Sequence, residues 1–362
     1  MSLSVRIRKR LSNRFCLEAD FTTETGSCLG ILGSSGAGKT IMLKSIAGIE
    51  TPDEGRIVVN GRVLFDSTAR INLKPQARRC GYLFQNYALF PTMTALGNIC
   101  AGMNARRLSR HERRKKARDY LEQVELGGLE HHKPAALSGG QQQRLALARM
   151  LAAGPDCILL DEPFSALDSN LREQMHLLFI EILKNYPDIV LVTHSRDEAY
   201  KLCREILILD AGAVLRHGER DNVFQNPHNV TAARLTGCKN ISPAVQTGDA
   251  EVFAADWDLR LRLAKPVPAG ITHVGIRAHD ISLPPESGAD GGLGHNEMRP
   301  AFIRVIPAPF ETMVLFTNAA APENGTNKEI VWALPRRLGT AAFSPPQRLF
   351  FPPDSLLPLC GG

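Results

Sequence analysis

Residues 33–40 read GSSGAGKT, a spacing of glycines, lysine and hydroxyl that can grip a phosphate chain. Gly33, Gly36 and Gly38, with Ser34, Ser35 and Ala37 between them, let the backbone curl so that its N–H groups point inward at phosphate oxygens. Lys39 supplies a mobile full charge for the β- and γ-phosphates, and the Thr40 hydroxyl can ligate Mg²⁺. A second cluster follows in CILLDEP (157–163), where Asp161 and Glu162 close an apolar strand. Ligands of open α/β sheets sit outside such strand ends. Asp161 there can hold Mg²⁺, and Glu162 can orient a water for in-line attack on a γ-phosphate. By itself the pair equally suits a helix cap and a surface carboxylate; the phosphate loop upstream is what turns it toward chemistry. His194 ends the apolar run IVLVTH (189–194), and Gln85 follows a short strand in GYLFQN (81–86). Both gain meaning only from the wider pattern. LSGGQQQR (137–144) offers a second anion-ready helix start: the Ser138 hydroxyl and the unhindered N–H groups of Gly139 and Gly140.

These residues need a scaffold that brings strand ends together. Residues 1 to about 230 alternate short apolar strands with helical segments, the α/β signature. CLGILG (28–33) reads as the strand before the glycine loop, and KTIMLKSIAG (39–48) as the helix after it, stopped by Gly48. GRIVVNGRVLFD (55–66) reads as a hairpin turning at Asn60-Gly61. Residues 95–150 read as mostly helical. CILLD and IVLV are apolar on both faces, as in the middle of a covered parallel sheet. Around 231–245 the texture changes to short strands between Pro- and Gly-bearing turns: HVGIRAHDISL (273–283), AFIRVIP (301–307), TMVLFT (312–317) and EIVWAL (329–334). That favours a small β-barrel or sandwich as a second domain, with SGADGGLGHN (287–296) as a loop within it.

The bulk numbers agree with two packed domains. The chain has 362 residues, 44% of them hydrophobic, which excludes wholesale disorder. No apolar run approaches the roughly 18 residues of a membrane span, and MSLSVRIRKR has no apolar stretch after its charges, so the expected place is the cytoplasm. The net charge of +6 is too mild to name a partner. The one dense basic stretch, ARRLSRHERRKKARDY (105–120), holds a capping box at Ser109 and Glu112 and reads as a wet first turn leading into an amphipathic helix, with contact to nucleic acid or lipid headgroups as the alternative. Eight cysteines stand singly with no C-x-x-C spacing, which reads as reduced thiols with neither a zinc site nor a disulfide framework.

In this order GSSGAGKT, Gln85 in YLFQN, LSGGQ (137–141), ILLDEP (158–163), SALD (165–168) and THS (193–195) resemble the ATP-binding subunit of an ABC transporter over residues 1 to about 230. The resemblance implies a P-loop NTPase cassette over 1–235, with a core sheet and a helical subdomain, and a small all-β, OB-like regulatory domain over 236–362. It implies ATP and Mg²⁺ as cofactors, with Thr40, Asp161 and Gln85 on the metal side. It makes Glu162 the catalytic carboxylate, His194 the switch histidine, Gln85 the linker to the membrane subunits and SALD a loop near the subunit interface. In the family two cassettes pair head to tail, so Ser138, Gly139 and Gly140 would cap the ATP held by the other copy. Adenine often stacks on an aromatic residue before the phosphate loop; Phe15 is the choice here, with Phe21 as the other option.

The stretch from GRIVVNGRVLFD to TMTALGNI, with TGCKNI (236–241) and GIRAHDI (275–281), is similar to importers of oxyanions, molybdate above all and sulfate next. That implies two membrane permease subunits, an extracytoplasmic binding protein and a place on the cytoplasmic face of the membrane, with no nucleic-acid partner. Importers of iron, sugars and polyamines share the tail architecture, and a soluble ABC ATPase is a further alternative. Arg277, His279 and Lys328 suit either an anion or solvated surface.

Overall fold

The structure, a computed structural model, describes residues 3–24, 26–104, 108–165, 167–184, 186, 188–284, 294–322, 326–335 and 345–361. Residues 105–107 of the basic stretch, Ala166 of SALD and 287–293 of the glycine-bearing loop lie outside the described residues. The chain divides into two units, Met1–Arg220 and Asp221–Gly362.

The first unit holds strands β1 (Leu3–Ser12), β2 (Phe15–Thr23), β3 (Cys28–Gly33), β4 (Glu54–Val59), β5 (Arg62–Asp66), β6 (Ile71–Asn72), β7 (Cys80–Leu83), β8 (Cys157–Asp161), β9 (Ile189–Val192), β10 (Glu205–Asp210) and β11 (Ala213–Glu219). They form one sheet in the order β6-β5-β4-β1-β2-β11-β10-β3-β9-β8-β7. From β10 to β7 the neighbours run parallel. Every residue of β8 and β9 is buried, because apolar side chains on both faces demand cover on both sides. In the other half every neighbouring pair is antiparallel except β2 and β11, which pair in parallel through Glu18 and Ala213. In β1 the alternation of Leu3, Val5 and Ile7 with Ser4, Arg6 and Arg8 buries one face and wets the other.

Among the described residues seven α-helices accompany this sheet: α1 (Lys39–Ala47), α2 (Pro75–Arg78), α3 (Ala95–Gly102), α4 (Arg110–Gln123), α5 (Gly139–Ala152), α6 (Ser169–Leu183) and α7 (Arg196–Leu202). The hairpin turn is as expected, with Asn60 at φ 51° and Gly61 at φ 77°, the left-handed pair that matches strand twist. Gly48 ends α1 in the left-handed region. From Arg110 on, the basic stretch is helix α4, whose N-cap Ser109 hydroxyl accepts from the Glu112 N–H at 3.2 Å while Glu112 accepts from the Ser109 N–H at 2.7 Å. Its Ala117 and Leu121 are buried.

The second unit holds helices α8 (Arg220–Gln225, its first residue the last of the first unit) and α9 (Val230–Leu235), and strands β12 (Asn240–Gln246), β13 (Glu251–Ala254), β14 (Leu259–Arg262), β15 (Ile271–Ile276), β16 (Glu297–Met298), β17 (Pro300–Pro307), β18 (Glu311–Asn318), β19 (Ile330–Pro335), β20 (Leu349–Phe350) and β21 (Leu357–Cys360). The sheets are β14-β13-β12-β15-β21, β17-β18-β19 and β16-β20. Trp257, Phe316, Trp332 and Phe351 sit in one buried cluster. The unit begins ahead of the expected position 236, because Ala233 of α9 packs with Cys238, Leu357 and Leu359.

Candidate active site

The site lies at the C-terminal ends of β3, β8 and β9, where the parallel strands present consecutive loops. After β3 the chain turns through Gly36 at φ 79° and Gly38 at φ 105°, both in the region that favours glycine. Gly38 is the N-cap of α1, and no side chain caps that helix start. Its first N–H groups are therefore left for an outside acceptor. A Cβ on Gly33 would come within 2.2 Å of the Leu209 carbonyl oxygen, so glycine is needed where the loop leaves the sheet. Ser34 fixes the loop from the other side by donating to Asp210 Oδ1 at 2.5 Å.

Lys39 is buried, and its ammonium donates to the carbonyls of Gly33 and Ser34, each at 2.8 Å. Burial pushes its pKa below the ordinary lysine range, while the Glu162 and Asp161 carboxylates pull it back up. A phosphate would therefore meet a preplaced charge whose hydration is already lost. Thr40 Oγ1 donates to Asp161 Oδ1 at 3.0 Å, and the Tyr82 hydroxyl donates to Asp161 Oδ2 at 2.8 Å. Burial and the neighbouring Asp161 raise the Tyr82 phenol far above its usual value, so it stays a donor. The Thr40 hydroxyl and the Asp161 carboxylate form an all-oxygen donor pair, which suits a hard cation such as Mg²⁺. The Gln85 amide instead donates to Ser165 Oγ at 3.4 Å, and Ser165 Oγ donates to the Glu162 carbonyl at 3.0 Å.

Glu162 sits at φ 48°, a conformation that costs a non-glycine residue energy and re-aims its side chain off the strand end. Its Oε1 meets His194 Nε2. Thr193, beside that histidine, donates to the buried Glu198 Oε2. Glu198 Oε1 also lies 3.7 Å from His176 Nε2 and 4.0 Å from Arg172 Nε, both on α6. The loop bearing His194 is thus pinned to a buried carboxylate. Sequence reading missed Tyr82, Asp210 and Glu198. Tyr82 pairs with Leu159 across β7 and β8, and its hydroxyl reaches Asp161 two residues further along β8.

Phe15, Leu11, residues 35–41, Glu162 and His194 line one cleft of about 340 Å³. Phe15 reaches the loop, its Cζ lying 3.2 Å from where a Gly38 Cβ would stand. Phe21 is buried in the core and meets His217 edge-on, which removes it from any base. Ser138, Gly139 and Gly140 are absent from that lining. Ser138 and Gly139 are exposed, and Ser138 caps α5 by accepting from the Gln141 N–H at 3.3 Å. A Cβ on Gly140 would come within 2.5 Å of Leu171 on α6, whereas one on Gly139 would meet nothing within 4 Å.

In the second unit Arg277, His279 and Lys328 do not converge. Arg277 donates to the Thr236 carbonyl at 2.5 Å and also to the Phe224 carbonyl, closing the ends of α9 and α8. His279 is exposed beside Asp280 at 3.5 Å, and Lys328 donates to Asp256 at 2.8 Å. Arg277 is therefore a tie between helix ends rather than solvated charge. No cluster of three or more His, Cys, Asp or Glu with metal-site geometry occurs among the described residues. Nor is any helix among them long and apolar enough to cross a membrane.

A family model described as ABC transporter matches residues 17–165. The chain is similar to an Fe(3+) ions import ATP-binding protein of Brucella abortus, 35% identical over 80% of this chain and 82% of the relative. It is 38% identical to a molybdate/tungstate import ATP-binding protein of Pyrococcus horikoshii, over 74% of each chain. In fold it is similar to the ATP-binding cassette MJ0796, solved as a dimer in a post-hydrolysis state bound to ADP and Pi. That match has a TM-score of 0.52 and 32% identity, over 61% of this chain and 99% of that one. Taken with the phosphate loop, the Asp161–Thr40 pair and Glu162 beside His194, these likenesses place the chain in the ABC transporter family, among the ATP-hydrolysing subunits of its importers.

Proposed function

We propose that two copies of this chain pair head to tail around ATP and Mg²⁺, the Ser138 helix start of one copy closing over the nucleotide held by the other. The observation that carries this is Gly139. Among the described residues nothing crowds that position, so a group from outside the chain can approach its backbone closely. Within each site Lys39 and the α1 N–H groups hold the phosphates, Thr40 and Asp161 hold the metal, Phe15 faces the base, Glu162 orients the water and His194 positions Glu162. Gln85, through Ser165, is tied to the main-chain carbonyl of Glu162 from the side expected to face the membrane subunits. ATP thereby binds the closed pair better than the open one, and hydrolysis reverses the preference.

The pair drives two permease subunits on the cytoplasmic face of a membrane, fed by an extracytoplasmic binding protein. The cargo is an oxyanion, molybdate first and sulfate next, supported by the 38% identity to a molybdate/tungstate importer subunit. Ferric iron is the second reading, favoured by the longer match of 300 residues. The second unit serves as a regulatory domain; its three candidate cations are engaged by its own atoms, so no anion pocket is assigned to them. The test is uptake into vesicles holding the chain with its permease pair and binding protein, offered labelled molybdate, sulfate or ferric iron. ATP-dependent molybdate or sulfate uptake is expected. Iron uptake alone would shift the cargo to the second reading, and no uptake of any solute by an ATP-hydrolysing complex would remove the importer reading.

A further inference from the structure

We propose that Cys28 and Cys203 form a modification site, a dithiol that a peroxide closes to a disulfide. The two residues stand 175 positions apart in sequence, yet their Sγ atoms lie 3.3 Å apart. Cys28 opens β3, the strand that runs into the phosphate loop, and Cys203 caps the end of α7, the helix that starts just after His194. Gly30 makes the room: a Cβ there would come within 3.0 Å of Cys203 Sγ. An S–S bond is ~2.05 Å long, so the sulfurs need to approach by only about 1.3 Å.

The two thiols have different surroundings. Cys28 lines a cavity of about 270 Å³ with Leu160, Phe179 and Leu191, and Lys184 and Lys201 stand in the same lining. Cys203 is buried at 2% exposure. Burial, and then the hydrogen bond with Cys28, push the Cys203 thiol well up, so Cys28 is the sulfur that meets a small oxidant first. Its sulfur attacks one peroxide oxygen, the O–O bond breaks, water leaves and Cys28 becomes a sulfenic acid. Cys203 sulfur then attacks Cys28 sulfur, and its proton leaves with the hydroxyl as a second water. Two thiols are oxidised by two electrons in all, and one peroxide is reduced to two waters. The link would fasten the start of the phosphate-loop strand to the helix behind the switch histidine.

The full chain treated with dilute hydrogen peroxide, then denatured and alkylated, tests this. Of its eight cysteines, two should lose reactivity, and a peptide joining Cys28 to Cys203 should appear and vanish with reductant. In Cys203→Ser, dimedone should label Cys28 and no link should form. Should that variant fold poorly, Cys28→Ser should keep all its remaining thiols reactive under the same dose. A link between Cys80 and Cys157 instead, oxidation of Cys28 without any link in the wild type, or thiol loss in Cys28→Ser equal to wild type would each overturn the assignment.

Discussion

Two helix starts in this chain carry glycines, and they are built differently. At α1 the N-cap is Gly38, no side chain caps it, and a lysine stands at the first helical position inside a cleft. At α5 the N-cap is Ser138, its hydroxyl holds the Gln141 N–H, and Gln141 holds the Ser138 N–H at 2.9 Å. The first start cannot satisfy itself and waits for an anion. The second is complete as a helix cap, so a phosphate there would have to supplement or replace a working hydrogen-bond pair. The glycines differ in the same sense. Gly38 is demanded by its own backbone, and Gly140 by Leu171; Gly139 is demanded by neither. One start has no side-chain cap of its own, and the other carries a complete capping box.

The largest effect that sharpens this contrast concerns the chemistry at the first start. Glu162→Gln keeps the shape beside His194 but removes the carboxylate that orients water. ATP hydrolysis should fall roughly 10²–10⁴-fold, measured as steady-state phosphate release, while nucleotide binding by equilibrium dialysis stays intact. A smaller fall, or a parallel loss of binding, would mean that the start at α1 does not work through this carboxylate. Next comes Gly38→Ala. An alanine at φ 105° is strained, and its methyl would sit 3.2 Å from both Leu17 Cδ1 and Phe15 Cζ. The expected loss of stability is about 1–3 kcal/mol, read from denaturant unfolding, with ATP affinity falling as the loop shifts.

Much of this first site was legible because its signals are local. GSSGAGKT, ILLDEP and IVLVTH each state a residue type, a spacing and a strand end, and the structure brings Lys39, Thr40, Asp161, Glu162 and His194 together. The supports were less legible. Asp210 reaches Ser34 from 176 residues away, and Glu198 holds Thr193 only because α7 folds back on the loop that precedes it. No local period announces either contact. The hairpin of β4 and β5 was legible from Asn60-Gly61, but β1 and β2 were not: their alternation is clear, yet exposed Arg6, Arg8, Glu18 and Asp20 make the segments look like charged surface. In the second unit β12, β13 and β14 went unread, since short strands between turns carry weak periodicity. The cysteines show the limit most plainly. Their spacing in sequence says they stand alone, and the fold puts Cys28 against Cys203.

The second start is best tested against a third one that shares its capping box. Ser109 with Glu112 opens α4 by the same pair of hydrogen bonds that Ser138 and Gln141 use at α5. Ser109→Ala and Ser138→Ala should therefore each lower stability by about 1 kcal/mol, as caps do. On the proposed head-to-tail pairing, only Ser138→Ala should also slow ATP hydrolysis, since that pairing sets its hydroxyl over a nucleotide in the other copy. Equal stability losses with unchanged hydrolysis in both would reduce Ser138 to a cap. Gly139→Ala then isolates the remaining question with the smallest cost to the fold. Its methyl enters open space at a helical position, so stability should stay level or rise by up to about 1 kcal/mol. If ATP-induced pairing, followed by light scattering of a Glu162→Gln background, nevertheless weakens, the methyl has met something that the single chain does not contain. If pairing is unchanged, the open space at Gly139 is ordinary surface and the head-to-tail arrangement loses its main support.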